Sequence, residues 1–198
     1  MESELARPPR SASDRLGSEL RPGLRALLDA MDHVPAYIVG HHTNLLAWNN
    51  AATALFATDF AAIPDERRTW AHVLFVDRTS GTLAADQPDM ARQVVAYLRL
   101  RASHRPDDTA LSRLVAEMRS SSSYFAELWD DHDVIDLTHG RYHLHHPEAG
   151  ALIVDYEFIR LSADPGVRAL VTYTTEPGSE SRRKLEKLIE ASKLTGDR

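Results

Sequence analysis

Apolar residues recur along the chain with two different periods, and the point where one gives way to the other divides it into a helical and a stranded part. Leu20, Leu24, Leu27, Leu28 and Met31 fall at helical spacing, and Pro35 stops that helix. "AYIVG" and "LLAWN", separated by "HHTN", read as a hairpin, and Asn50 to Phe56 as a short helix. From Ile63 to Gln87 the pattern is irregular, with a short helix through "WAHVLF". Three more helical stripes follow: Ala91, Val94, Val95, Leu98 and Ala102; then Leu111, Leu114, Val115 and Met118; then Phe125, Leu128, Trp129 and His132. Pro106 with Asp107 and Asp108 separates and caps the first pair, and the run Ser120 to Ser123 separates the second.

After His132 the period shortens to that of strands. "DVIDLTHG", "RYHLHH", "ALIVDYEFIRL" and "RALVTYTTE" are broken by Gly140, "HPEAG" and "SADPG", the pattern of an antiparallel meander. Leu152, Val154, Tyr156 and Phe158 alternate with Asp155 and Glu157, so one face of this sheet is buried and must be covered by helices. Leu185, Leu188 and Ile189 mark a last amphipathic helix, capped by Ser179. A two-stranded start, a helical middle and a stranded finish resemble the element order of a PAS-type sensor fold. The expected class is α+β: a PAS-like five-stranded antiparallel sheet with helices packed on one face and room between them for a small molecule. Residues 1–19, rich in Ser, Arg and Pro, read as a flexible leader or linker stub, 20–192 as the domain and 193–198 as a tail.

Composition narrows the function classes. A chain of 198 residues with 43% hydrophobic content can bury one substantial core. Its net charge of −6 has the wrong sign for a free-standing nucleic-acid binder, so no direct DNA binding is expected. Without cysteine there are no disulfides, thiolate nucleophiles or Cys-ligated zinc. No apolar run has the length of a membrane span and no signal peptide is visible, which predicts a cytoplasmic protein without a membrane partner.

Candidate chemistry is sparse. His143 and His145 share a strand face with Glu148 close behind, but Pro147 breaks the strand and no third ligand stands at fixed spacing, so no metal is assigned. There is no Gly-x-Ser-x-Gly elbow and no glycine-rich phosphate loop, which argues against an enzyme and against a nucleotide cofactor. Phe125 and Trp129 either line a cavity or fill the core, and His132, continuing their stripe, either meets helix-end carbonyls or touches a ligand. Of the two amides in "LLAWNNAATALF", Asn50 is assigned the helix cap and Asn49, beside Trp48, the pocket.

Several segments together resemble a family. "LLAWNNAA", "FVD" at Phe75 to Asp77, "MARQVVAYLR", "SSYFAELWDDHDV", "HPEAGALIVDYEFIRL" and "VTYTTEPGS" occur in the order and spacing of the MmyB-like ligand-binding domain of bacterial helix-turn-helix regulators, from about Leu20 to Leu188. The resemblance implies a PAS-like effector domain, normally C-terminal to an XRE-type DNA-binding domain, with an apolar cavity for a fatty-acid-like molecule. Arg68-Thr69 stands where members usually have Arg-Asn, and Asp86-Gln87 where they have Asp-Trp, so a different pocket shape is expected. A linker-like stretch stands in place of a DNA-binding domain: either a stand-alone sensor or a chain lacking an upstream segment. The expected function is non-enzymatic sensing in transcription regulation, with Asn49, Arg68 and Tyr156 as head-group anchors, Phe75, Phe125 and Trp129 as apolar wall, and His132 as a further contact. Two alternatives stay open, a metal-dependent enzyme on His143 and His145, and a ligand-free homodimerisation module.

Overall fold

The computed structural model describes residues 20–77, 87–131, 138–161 and 166–196. Helix α1 (Pro22–Asp29) opens on a proline, whose fixed φ suits a first helical turn, and leads to β1 (Ala36–Gly40) and β2 (Leu45–Trp48). Helix α2 (Asn50–Phe56) follows, then two single 3-10 turns and the short α3 (Trp70–His72), which runs on into a π turn at Val73–Asp77. Three helices come next: α4 (Gln87–His104), α5 (Thr109–Ser121) and α6 (Ser123–Asp130). The chain finishes with β3 (His139–His146), β4 (Gly150–Arg160), β5 (Val167–Thr174) and α7 (Glu180–Gly196). Most of the expected strand "DVIDLTHG", and His132, lie outside the described residues.

One five-stranded antiparallel sheet, ordered β2-β1-β5-β4-β3, joins the hairpin to the meander through β1 and β5. Its inner face carries Tyr37, Val39, Leu144, Leu152, Val154 and Val171, packed against Leu55, Leu74, Leu98, Met118 and Phe125 from the helices in one continuous core. The outer face is split. At β3 and β4 it is wet, with His143 and His145 exposed and Arg141 bonded to Asp155 at 2.7 Å. At β1 it is covered by α1, whose Leu24 and Leu28 pack on Ala36, Ile38, Ala47 and Leu170 in a second cluster. The reason is legible in β1 itself: "AYIVG" has no polar position, and all five residues are buried. Leu27, counted in the same apolar stripe, is half exposed.

Local caps set where the helices begin. Asp108 accepts from Leu111 N at 3.0 Å, Ser122 from Phe125 N at 3.2 Å and Ser179 from Arg182 N at 3.1 Å, each satisfying an amide the first turn leaves free. Thr69 accepts from His72 N at 3.1 Å and caps α3 in the same way.

Candidate ligand cavity

Alternation along the strands sends Tyr37 of β1, Tyr142 of β3, Tyr156 of β4 and Tyr173 of β5 to the inner face, where they meet α4. The four rings group around a cavity of about 50 Å³. Tyr142 and Tyr156 stack with centroids 4.6 Å apart, and the Tyr37 and Tyr173 hydroxyls bond each other at 3.2 Å. Gln93 reaches down from α4 to bridge the first pair: its amide donates to the Tyr156 oxygen at 3.2 Å and its carbonyl accepts from the Tyr142 hydroxyl. Burial penalises the phenolates. It pushes Tyr37 up to about 12, against the opposing bond from Tyr173, and pushes Tyr142 and Tyr173 above their ordinary value as well.

One rim of this cavity is polar in an unusual way. The β1–β5 ladder pairs Val39 with Ala169 but Gly40 with Val167, so Arg168 is an extra residue in a β-bulge. A bulge re-aims side chains. Val167 joins the outer cluster, and Arg168 turns to line the inner cavity. Its guanidinium carbon sits 3.2 Å from the Tyr97 ring centroid and 4.2 Å from that of Phe158, close enough for cation–π attraction to both rings. Among the described residues no carboxylate lies within ion-pair distance of it. Burial draws it down to about 10, so it remains protonated at neutral pH. Nearby His41 is lowered to about 4, first by burial and then by Arg101 and other neighbouring cations, and stays neutral.

Two further groups face the same space. Among the described residues four buried side-chain polar atoms lack a hydrogen-bond partner, and two of them, Thr43 Oγ1 and Trp70 Nε1, line this cavity. The Trp70 indole N–H is turned toward the Tyr37 hydroxyl without closing a hydrogen bond. Thr43, in the β1–β2 turn, has φ of 63°, a left-handed conformation that a β-branched residue adopts only under constraint.

Of the residues expected to form the site, Tyr156 lines the cavity. Asn49 lies elsewhere, and it exchanges roles with its neighbour. Asn49, not Asn50, is the cap of α2: its Oδ1 accepts from Ala52 N at 2.9 Å and from Ala36 N at 3.1 Å. Its Nδ2 donates to Met31 O at 2.9 Å and to Val34 O at 2.8 Å. Asn50 is the first helical residue and is exposed. The cap falls one residue earlier than assigned because β2 ends at Trp48 and Asn49 already has the extended φ, ψ of a cap. Arg68 donates to Phe60 O at 2.8 Å and Ile63 O at 2.6 Å, pairs with Asp65 and lies over Trp48, bracing the turns before α3.

Phe75, Phe125 and Trp129 do come together, but with one another. Phe75 meets Phe125 edge-on at 5.0 Å and Phe125 stacks on Trp129 at 5.7 Å, with Arg99 above Trp129 and bonded to the Leu128 and Trp129 carbonyls. The histidine pair His143 and His145 points to solvent, and no three potential metal ligands converge among the described residues. Buried His146 is structural: Nδ1 accepts from Glu148 N and Ala149 N, so Nε2 carries the proton and donates to Ala54 O at 2.9 Å.

Tyr37, Tyr142 and Tyr173 were open to prediction, since they share strand parity with inward apolar neighbours. Gln93 and Arg168 were not. Nothing in the periodicity of α4 marks Gln93, and strict alternation would have pointed Arg168 away from the cavity. No curated protein matches the chain. The family described as the MmyB-like transcription regulator ligand binding domain matches residues 20–188, the span that contains the sheet, the helices covering it and the cavity between them. The chain belongs to the MmyB-like transcription regulator ligand-binding domain family.

Proposed function

We propose that this chain is a non-enzymatic sensor in a transcription regulator, and that its effector is a small apolar, fatty-acid-like molecule that enters between α4 and the inner face of the sheet. The observation that supports this most is the aromatic cavity at the sheet–helix boundary, where the inner-face tyrosines leave space that neighbouring side chains do not fill. About 50 Å³ is room for only one or two waters. A medium-chain effector therefore displaces side chains, and occupancy is tied to the position of α4, which is what a sensor requires. Tyr156 lines the site in this reading. Phe75, Phe125 and Trp129, in the same continuous core, stay packed on one another beside the cavity. Asn49 and Arg68, their polar atoms taken up mainly by backbone groups, keep structural roles. DNA contact falls to another domain or partner, in keeping with the acidic charge of this chain.

The energetics allow it. Burying about ten methylenes at roughly 0.8 kcal/mol each gains about 8 kcal/mol before the costs of association and rearrangement, which leaves micromolar binding or weaker. Thermal melts with saturated fatty acids of graded length test the proposal. At a hundredfold excess over Kd a bound acid stabilises the fold by about 2.7 kcal/mol, and the gain erodes stepwise with shorter chains. Melts unmoved by every chain length, with native mass spectrometry finding no apolar adduct, would overturn it in favour of the filled-cavity dimerisation module.

A further inference from the structure

The outer surface of β3 carries three imidazoles that one chain cannot bring together. We propose that β3 pairs edge to edge with β3 of a second copy of this chain, and that each of the two equivalent sites so formed binds a zinc ion between His143 and His145 of one protomer and His139 of its partner. His139, Arg141, His143 and His145 are the exposed residues of the strand and alternate with buried or half-buried ones, so all four share its outer face. His143 and His145, two residues apart, are spaced to grip one ion. His139 lies about 13 Å along the strand from His143, out of reach within one chain.

The strand edge supplies the missing geometry. β3 is outermost in the sheet, with β4 as its one strand neighbour among the described residues. The Thr138 carbonyl accepts from Phe158 N at 2.8 Å, and the register with β4 runs from His139 to His146 without a shift. Bonded and non-bonded pairs alternate in an antiparallel ladder, so Gly140, Tyr142, Leu144 and His146 turn their backbone groups to β4, while His139, Arg141, His143 and His145 turn theirs outward. Ile153, opposite His143, obeys the same alternation: its N–H points away from β3 and donates to Ser181 Oγ at 2.9 Å. A row of outward donors and acceptors with no proline, lysine or bulge to interrupt it is a template for another strand. Two copies that satisfy the whole row pair about Tyr142, which sets His145 of one protomer opposite His139 of its partner, and His143 opposite Arg141.

Residues directly opposite one another project to the same face with Cβ atoms about 5 Å apart, so the partner's His139 completes a three-histidine site with water in the fourth tetrahedral position. Thr138 Oγ1 lies 3.1 Å from His139 Nδ1, a contact that leaves Nε2 to face the metal. The Arg141 guanidinium that comes opposite His143 is balanced by Asp155 of its own chain, at 2.7 and 3.1 Å.

The test strips the whole chain with EDTA, titrates it with zinc chloride and follows its mass by sedimentation velocity. The stripped protein is monomeric, and zinc converts it to a dimer holding one ion per protomer. His139→Gln and His143→Gln each weaken zinc binding by more than the roughly tenfold that loss of a supporting contact costs. Both side chains are exposed, so metal-free melts are unchanged. The decisive arm mixes two proteins that fail alone, His139→Gln and the double variant His143→Gln, His145→Gln: in the mixed dimer one site regains all three imidazoles and the other has none, so the mixture dimerises with one zinc per pair. Amide exchange, read by NMR, slows at Arg141 and His143 when zinc is added, because their N–H groups enter the new ladder. Zinc held by a monomer, no zinc bound at micromolar concentration, a dimer indifferent to EDTA and to the histidine variants, or a mixture that stays monomeric overturns the shared site. A zinc dimer in which those two amides exchange as before overturns the edge pairing.

Discussion

Two aromatic groups sit on the same side of the sheet and differ in whether their rings carry hydroxyls. Phe75, Phe125 and Trp129 are joined ring to ring by edge-on and stacked contacts, and Phe125 is fully buried. Tyr37, Tyr142, Tyr156 and Tyr173 are buried too, but each carries a hydroxyl that must find a partner, and the bonds they form with Gln93 and one another border a small space. Phenyl groups close-pack because nothing restrains them except shape. Hydroxyls impose directions, and directional bonds leave gaps beside polar atoms. Aromatic content alone therefore does not open a cavity here; the cavity lies beside the rings whose polar tips are committed.

That contrast can be broken by mutation. Phe125→Ala opens a void in the close-packed group and lowers unfolding free energy by about 3–5 kcal/mol in a denaturant titration, with decanoate present or absent. A loss that decanoate fully restores would make Phe125 a pocket wall and erase the distinction. Asn49→Ala costs less, about 2 kcal/mol, since it removes a cap and strands backbone groups of three elements. Its decrement is equal in paired melts with and without ligand; a ligand shift that disappears in the variant would return Asn49 to the site. The smallest effect at neutral pH belongs to the tyrosines, which respond to alkali. Their folded pKa values lie above those of the unfolded chain, so the folded state holds more protons and stability falls as pH rises from about 10 toward the folded value of about 12 at Tyr37. Tyrosinate absorbance exceeding what Tyr97 and Tyr124 contribute, and rising below the pH at which circular dichroism is lost, would mean that these hydroxyls are not buried.

Much of this fold is written in local patterns. The hairpin, the meander and the helical stripes follow from period alone, and so does their sharing of one sheet, once the order of elements is set beside that of PAS-like domains. The second face was harder to read. That α1 lies outside the sheet shows in sequence only as a β1 without polar positions, which fits any doubly covered strand. The site divides in the same manner. Tyr156 and its fellow tyrosines obey strand alternation, whereas Arg168 departs from it through a bulge, and the β1–β5 register that creates the bulge joins residues far apart in the chain. The exchange between Asn49 and Asn50 is a smaller case: both amides suit a cap, and the choice was made by where β2 ends.

Asn49 has a mechanical consequence beyond its hydrogen bonds. It stands where β2 runs into α2, and its amide holds the carbonyls of Met31 and Val34, which follow α1, together with the first amide of β1. α1 lies on the outer side of the sheet and α2 on the inner, so one side chain works as a rivet through the edge of a plate. Layers riveted at a corner can flex but cannot slide. The corner at β1 and β2 is thus tied to both layers, while at the other end of the sheet α7 holds β4 through Ser181 and Lys184, and His143 and His145 of β3 stand exposed on the outer surface.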